Sequence, residues 1–376
     1  MQLLSTQLLL PLPDASHRAF LPPAVYAGAA ASVTSSSSCM PSSPLRSRRF
    51  TKSSARSGLR VVSPETSTTA ATDAATAGAQ SDSTKWAEFA ARVSGEWDGF
   101  EADFTDTGDP VELPENVVPE AYREWGVQVF DWQTQCPTLG DPAARCALHY
   151  RLVRLLPTVG CEADAATVHT SHQRHASSAS AFGYAGTGSY IAAWPKGPAP
   201  VLEVEHCIVR PDSREVRVRV VQTVALGKEA RLRGVKVFSE QWYGPFRNGE
   251  QLGGCAIRET AFAAGEKLDV SEVLGQWEST DAAAARFSDE LDAETGKFAE
   301  LSPDEPSKLL RDTDGVVTLP KQLWSVFKEH GDGEFLCEVG WVLGGGSAVT
   351  SRCVLSKDGD VKEIAAAYES RVTEGT

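Results

Sequence analysis

The chain has 376 residues, with 36 Lys and Arg residues against 50 Asp and Glu residues, so its formal net charge is −14. No stretch reaches the roughly 18 apolar residues needed to cross a bilayer, so we expect no membrane span. The acidic balance repels phosphate backbones and no Lys/Arg stripe compensates for it, which disfavours nucleic acid as a partner.

The first 80 residues differ in composition from the rest of the chain. They hold 7 Lys and Arg residues, 3 acids and 23 Ser and Thr residues, whereas residues 81–376 carry a net charge of −18. Such a segment buries too little apolar surface to offset the entropy lost on ordering. A Ser-rich, Arg-bearing, acid-poor composition is typical of plastid transit peptides. We therefore expect residues 1–80 to be a transit peptide and disordered leader, and the mature protein to lie in the chloroplast stroma. A mitochondrial address, or a tail with no address, is the alternative.

Beyond the leader, a short amphipathic helix is predicted over 86–93, and strand patterns then dominate. The clearest strand spans 214–224, where valines alternate with Glu and Arg, so we expect one buried face and one charged, wet face. Residues 202–208 alternate in the same way, and the turn residues between the two runs predict a hairpin. Further strand patterns lie near 126–134, 147–156, 165–173, 188–194, 232–240 and 254–263. Many short strands with few helices predict an all-β protein, built as an antiparallel barrel or sandwich.

An internal repeat divides the mature chain. The run Gly95-Glu-Trp97 is echoed by Gly275-Gln-Trp277. In each case a Val-x-Leu-Pro run follows, and then a strand that bears a tryptophan. The second and third landmarks are residues 111–114 and 127–132 in the first half, and residues 317–320 and 335–341 in the second. The repeat predicts a first half over 81–266 and a smaller or incomplete second half over 267–376.

A short helix followed by G-x-W resembles the opening of lipocalin-like (calycin) barrels. In that family the glycine lets the first strand bend, and the tryptophan closes the narrow end of the barrel. The resemblance implies this structural role for Gly95, Trp97, Gly275 and Trp277; two unrelated core tryptophans are the alternative. In that family an arginine also covers the tryptophan through a cation–π contact. The candidates for it are Arg258 in the first half and Arg352 or Arg371 in the second.

Residues 86–376 also resemble a group of plastid proteins of green plants, with cyanobacterial relatives, that are built on calycin-type barrels. The resemblance rests on residues 95–100, 118–125, 130–137 and 156–164. It implies two tandem calycin/lipocalin-like antiparallel β-barrels, the second smaller or incomplete, and it implies no established chemistry. The bilin lyases of cyanobacteria share the barrel, and the resemblance to them ends there.

Barrels of this size are wide enough for one small apolar ligand. We therefore expect a binding or carrier protein for a small hydrophobic molecule such as a pigment, a tetrapyrrole or a lipid derivative. The alternatives are a chromophore-lyase-like enzyme on the same barrel and an interaction scaffold with filled barrels. An enzyme is the less expected class, and the residues leave any cofactor unknown.

The predicted ligand pocket is lined by His206, Tyr150 and Trp132. His206 interrupts an apolar strand face, where an imidazole needs a partner that is either a ligand or another side chain. A hydrogen-bonded core histidine is therefore the alternative reading.

Two other groups of reactive side chains are weaker candidates. His169, His172 and His175 would chelate one metal ion only on a helix, and their neighbours favour a strand. Cys161 has no histidine fixed near it by sequence, so a thiol nucleophile is disfavoured. No CxxC pair occurs among the eight cysteines, and we expect buried free thiols.

Overall fold

The computed structural model describes residues 84–159, 166–197, 199–227, 229–250, 259–288, 297–331 and 333–372. The predicted leader over 1–80 lies outside these ranges. So do Arg258, Cys161 and most of the strand pattern predicted at 254–263.

Two β-sheets make up most of the described chain, which confirms the predicted all-β class with few short helices. The helices are α1 (84–93) and α2 (Glu120–Glu124), with short 3₁₀ turns at Ala176–Ser178 and Val270–Glu272. Sheet A contains β1 (Glu96–Phe104), β2 (Asp131–Gln135), β3 (Thr138–Gly140), β4 (Leu148–Leu155), β5 (Val168–His175), β6 (Ala181–Tyr184), β7 (Tyr190–Pro195), β8 (Val201–Val209), β9 (Val216–Ala225), β10 (Arg231–Gly244) and β12 (Phe298–Glu300). Sheet B contains β11 (Gly275–Arg286), β13 (Ser302–Pro303), β14 (Lys308–Arg311), β15 (Val316–Leu319), β16 (Leu323–Glu329), β17 (Phe335–Gly344), β18 (Ser347–Leu355) and β19 (Val361–Arg371).

The two sheets share one part of their strand order, an antiparallel meander whose last strand pairs with the first strand of the sheet. In sheet A the strands β6 to β10 form an antiparallel meander, and β10 then pairs with β1, the first strand of the sheet. In sheet B the meander runs from β15 to β19, and β19 pairs with β11. Because the last strand returns to the first, each sheet curls and acquires a concave face. The predicted hairpin is confirmed as β8 and β9.

One short strand links the two sequence halves. β12 follows the predicted boundary at residues 266 and 267, yet it joins sheet A by pairing parallel with β6. All described residues belong to one compact unit. The boundary itself stays a prediction.

The convex faces of the two sheets pack together. Val218 and Val220 of sheet A belong to one buried cluster with Leu319, Val339 and Trp341 of sheet B. The valine face of β9 is therefore buried, as the alternation predicts. The expected wetness of the opposite face is wrong, because the curl of sheet A encloses that face as well.

The two G-x-W motifs occupy matching positions at the start of β1 and of β11. Trp97 is fully buried, and its indole N–H donates to the carbonyl of Val93 at 3.0 Å. Trp277 is 1% exposed and donates to Val273 at 2.9 Å. At Gly95 φ is +149°, and a Cβ would lie 2.0 Å from the ring nitrogen of Trp242, so only glycine fits there.

Each of these tryptophans has an arginine beside its ring. The guanidinium of Arg217 lies 4.2 Å from the Trp97 ring centroid, and that of Arg311 lies 5.5 Å from Trp277. Sequence reasoning named Arg352 or Arg371 for the second half. Arg371 instead donates to the carbonyl of Leu274 at 2.8 Å.

Candidate functional site

The concave face of sheet A contains a cavity of about 530 Å³. Its apolar wall comes from Leu152 on β4, Val221 on β9 and Phe238 on β10, which form one buried cluster. The other described residues that line it are Tyr150, Arg154, His172, Gln173, Arg174, Ser178, Trp194, Pro195, Lys196, Glu203, Arg219 and Lys236. A concave space with apolar walls and a few polar groups has the character of a small-molecule site.

A buried carboxylate lies beneath the floor of this cavity. Glu205 on β8 has no exposed surface. Its carboxylate accepts hydrogen bonds from the hydroxyl of Tyr150 at 2.7 Å and the hydroxyl of Tyr190 at 2.9 Å. The indole N–H of Trp194 donates to it at 2.9 Å. These aromatic donors are supplied by β4 and β7, so Glu205 ties three strands of the sheet together.

Two arginines on β9 balance the buried carboxylates. Arg219 donates to Glu205 at 2.9 Å and to both oxygens of Glu240 at 2.8 Å. Arg217 donates to Glu240 at 2.7 Å. Each arginine is 1% exposed. Both carboxylates are fully buried, so the four groups form one desolvated charge network, which is stable only because every charge has a partner.

Neighbouring arginines keep the carboxylate of Glu205 ionised. Burial alone would raise its pKa, but the guanidiniums of Arg219 and Arg174 and the hydroxyl of Tyr150 lower that pKa to about 2. Glu205 is therefore an anion at neutral pH and only accepts hydrogen bonds. A group held in this state positions its neighbours and does not exchange protons.

The rim of the cavity carries two further groups of cations. Arg154 and Lys236 both donate to the buried Glu101, at distances from 2.6 to 2.7 Å. Arg174 and Lys196 share Glu203 on β8, where the Lys196 ammonium lies 2.6 Å from the carboxylate. These cations are partly exposed, with side-chain exposures from 19% for Arg154 to 61% for Lys196.

The described thiols near this network are not nucleophiles. Burial raises the pKa of Cys136 to about 11 and the pKa of Cys207 to about 12. Both thiols are therefore protonated at neutral pH. The five described cysteines are free, as expected for buried thiols, although Cys146 is only half-buried.

The three residues predicted to line one pocket lie in three different places. Tyr150 lines the sheet A cavity. His206 lies on the opposite face of β8, between the two sheets, where its Nδ1 is 2.8 Å from the hydroxyl of Ser351 and its Nε2 is 3.3 Å from Gln222 Oε1. Burial lowers the pKa of His206 to about 4, so the ring is neutral at physiological pH. The structure therefore supplies His206 with side-chain partners.

Trp132 lies outside the cavity as well. It packs with Leu113 and Val118 in a separate cluster, and its ring stacks on His169 at a centroid distance of 4.9 Å. His169 belongs to β5, so the predicted strand over the three histidines is confirmed. His172 lines the cavity, whereas His175 stacks on His149 at 5.6 Å. Ligand contacts of Trp132 and His206 stay predictions.

Sheet B contains a matching charge network. Counted along the ladders, Glu240 pairs with the residue two after Trp97, and Glu369 pairs with the residue two after Trp277. The same register can be followed across the next two strands of each sheet, β9 and β8 in sheet A and β18 and β17 in sheet B. It aligns Glu338 on β17 with Glu205 on β8.

The donors to this second carboxylate match in part. Trp324 occupies the position of Tyr190 and donates to Glu338 at 3.1 Å. Arg311 donates to Glu338 at 2.8 Å and to Glu369 at 2.7 Å. The sequence repeat predicts that the strands of Trp132 and Trp341 occupy equivalent positions in the two halves. They do not, because β2 lies beside β1, whereas β17 is two strands away from β19 and three from β11.

Sequence reasoning missed the charged residues that define this site. Glu203 and Glu205 alternate on β8, and Arg217 and Arg219 alternate on the adjacent β9. The available signal was a set of opposite charges on the same face of the two strands of one hairpin. The signal was interpreted as a solvated face, since alternation does not distinguish outer water from the inside of a curled sheet.

Within the described ranges, no group of three His, Cys, Asp or Glu side chains is arranged to hold a metal ion. In the same part of the chain, none of the helices has the length and apolar character to cross a bilayer.

Comparison with known proteins gives a limited result. No protein-family model and no curated protein matches the chain. Among solved structures, the chain is similar to a DUF3598-family protein of unknown function from Nostoc punctiforme, at 15% identity and a TM-score of 0.46; the match covers 77% of this chain and 99% of that one. A transferrin binding protein B double mutant from Haemophilus parasuis matches at 8% identity and a TM-score of 0.14, over 74% and 76% of the two chains. At these TM-scores neither likeness assigns a function.

Proposed function

We propose that the protein binds or carries a small hydrophobic molecule, such as a pigment, a tetrapyrrole or a lipid derivative, in the cavity of sheet A. The observation that carries this proposal is the 530 Å³ space itself, which has an apolar wall of Leu152, Val221 and Phe238 and a floor fixed by buried charges. A volume of this size lies in the range of ligand pockets, about 300–1,000 Å³.

The rigidity of the floor supports binding rather than a filled core. Each strand that lines the cavity is held by a bond to Glu205, Glu240 or Glu101, so the cavity is shaped before a ligand arrives. A preformed site avoids the entropy cost of ordering side chains on binding. The protonated thiols of Cys136 and Cys207 support a carrier over a lyase-like enzyme that would use them as nucleophiles.

A cavity-filling substitution tests the site. Val221→Phe adds a ring where the cavity is now open, and Val127→Phe is the matched control because Val127 is 45% exposed. The fluorescence of N-phenylnaphthylamine, a neutral apolar dye, reports binding to the full chain. We expect saturable binding that Val221→Phe abolishes and Val127→Phe preserves. Equal binding by both variants places the dye elsewhere and contradicts the proposal.

Small molecules extracted from the protein, after its purification from the cells that produce it naturally, distinguish a carrier from the two alternative functions. Mass spectrometry of the extract should show a small apolar molecule at about one per chain. Covalent modification of another protein by the purified chain would favour the lyase-like enzyme. Absence of any bound molecule, together with absence of dye binding, would favour the interaction scaffold.

We also propose that the protein works in the chloroplast stroma. The support is the Ser-rich, acid-poor composition of residues 1–80. Fusion of these residues to a fluorescent reporter in plant cells should place the reporter in plastids. A cytosolic or secreted reporter would contradict the proposal.

A further inference from the structure

We infer that the molecule held in the sheet A cavity is an apolar carboxylate, whose acid group lies at the rim against Arg154 and Lys236. This inference rests on the proposed function and adds the chemical class of the ligand. The apolar part of the molecule lies along Leu152, Val221 and Phe238.

The first observation is an imbalance of charge on the cavity surface. Five cations line the cavity, and Glu203 is the single carboxylate among the described residues that line it. Glu101, Glu205 and Glu240 are fully buried behind these cations. The cations therefore lie between the carboxylates and the open space, in a chain whose net charge is −14.

Two of these cations share one carboxylate. Arg154 donates two hydrogen bonds to Glu101, and Lys236 donates a third. Lys236 also lies 2.9 Å from Asp103, but this carboxylate is 46% exposed, and an ion pair with a solvent-exposed partner contributes little. Glu101 has no side-chain exposure, whereas Arg154 and Lys236 are 19% and 22% exposed. The accessible side of this group is cationic.

An uncharged ligand does not use this arrangement. Its apolar body would displace water from the guanidinium and the ammonium without returning a hydrogen bond, which is unfavourable. A carboxylate replaces that water with charge-assisted hydrogen bonds, and a guanidinium fits a carboxylate through two parallel N–H donors. The low dielectric of the cavity strengthens these bonds relative to bulk water.

A matched pair of ligands tests the charge directly. Dodecanoate and dodecanol differ only in the head group, and titration calorimetry on the full chain measures both affinities below micelle formation. We expect dodecanoate to bind about tenfold more tightly, equal to about 1.4 kcal/mol. The preference should shrink in about 1 M salt, because salt screens charges at a partly exposed rim. Pyrenebutyrate, a rigid aromatic carboxylate, distinguishes a pigment-like body from a lipid-like one, according to which acid binds more tightly.

Three variants locate the acid group. Arg154→Gln and Lys236→Gln should each reduce the ratio of dodecanoate affinity to dodecanol affinity several-fold. Arg233→Gln is the control, since Arg233 is exposed on β10 and does not line the cavity. Thermal melts identify any variant that fails to fold. The salt dependence is measured on the wild-type chain, so it tests the role of charge even if a variant does not fold.

The outcomes separate the two proposals. Equal binding of acid and alcohol overturns the carboxylate assignment and leaves the proposed function standing. Binding of neither alkyl ligand nor of the neutral dye overturns the proposed function and this inference with it. An acid preference that persists in both Arg154→Gln and Lys236→Gln overturns the assignment of the acid group to this rim.

Discussion

Sheets A and B contain the same buried framework of tryptophan and glutamate residues, but they differ in a residue that packs above it. In both, a G-x-W tryptophan begins the first strand and two register-matched glutamates lie inside the curl, Glu205 and Glu240 in one sheet and Glu338 and Glu369 in the other. The position of Val221 in sheet A is taken by Arg352 in sheet B. Arg352 extends to Glu369, with a bond of 2.7 Å.

This difference explains why a cavity exists where it does. A short valine at position 221 leaves space above the charge network of sheet A. In sheet B an arginine occupies the matching position, while Trp277, Trp324 and Val326 pack into the core beside it. The shared glutamates therefore belong to the framework of both curled sheets, and the residues that differ between the sheets determine which one contains this cavity.

The largest expected effect is on the shared tryptophans. Trp97→Ala and Trp277→Ala should each lower the free energy of unfolding by roughly 3–5 kcal/mol, because each removes a fully buried ring and its arginine contact. Urea unfolding of the full chain measures both changes. A wild-type midpoint for either variant would break the equivalence of the two sheets.

The matched glutamates give the second comparison. Glu205→Gln and Glu338→Gln should each cost about 3 kcal/mol, since a buried arginine partner loses its counter-charge. The pKa of Glu338 is also about 2, because Arg311 and Arg352 outweigh the effect of burial.

The pH dependence of that loss carries a definite sign. A pKa lowered on folding contributes stability that is present above the ordinary glutamate value, about 4.3, and is lost as the pH falls toward 2. The difference between wild type and either variant should therefore shrink over that window. A pH-independent difference would show that the ion pairs are not its source.

Asp98 gives a contrast between the sheets. It is 5% exposed, and burial raises its pKa to about 7 against a hydrogen bond from Gln135 that lowers it. The matching residue in sheet B, Glu278, is exposed. A pKa raised on folding means that stability falls as the pH rises from about 4 to about 7. Asp98→Asn should therefore stabilise the chain by about 2–4 kcal/mol near pH 8 and by little near pH 4.

The control for this prediction is Glu278→Gln, for which we expect no change in the free energy of unfolding at either pH. Chemical unfolding at the two pH values measures both variants. A destabilised Asp98→Asn protein at pH 8 would mean that the ionised carboxylate makes a favourable contact.

Much of the fold follows from local sequence pattern, and the site does not. Period-two alternation identified the β8–β9 hairpin, and the repeated G-x-W motif identified the first strand of each sheet. Alternation cannot distinguish a convex face from a concave one, so Arg217 and Arg219 were assigned to solvent. The curl that reverses this assignment comes from β10 pairing with β1, a contact between residues more than a hundred positions apart in the chain.

The smallest expected effect concerns the link between the sheets. Ser351→Ala removes the hydroxyl that bonds His206 Nδ1, and the buried ring nitrogen loses a partner, so we expect a loss of about 1 kcal/mol. Ser347→Ala on the same strand is the control. Dye binding should be unchanged in both variants. Loss of dye binding in Ser351→Ala alone would move the ligand site to the space between the sheets.

The most direct test of the sheet A cavity as the ligand site is a crystal structure with dodecanoate that carries a terminal bromine. Anomalous scattering locates the bromine without reference to the shape of the density. We expect one bromine among Leu152, Val221 and Phe238, with the carboxylate at Arg154 and Lys236. A bromine between the two sheets, next to Ser351 and Ile208 in the smaller space of about 280 Å³, would contradict it.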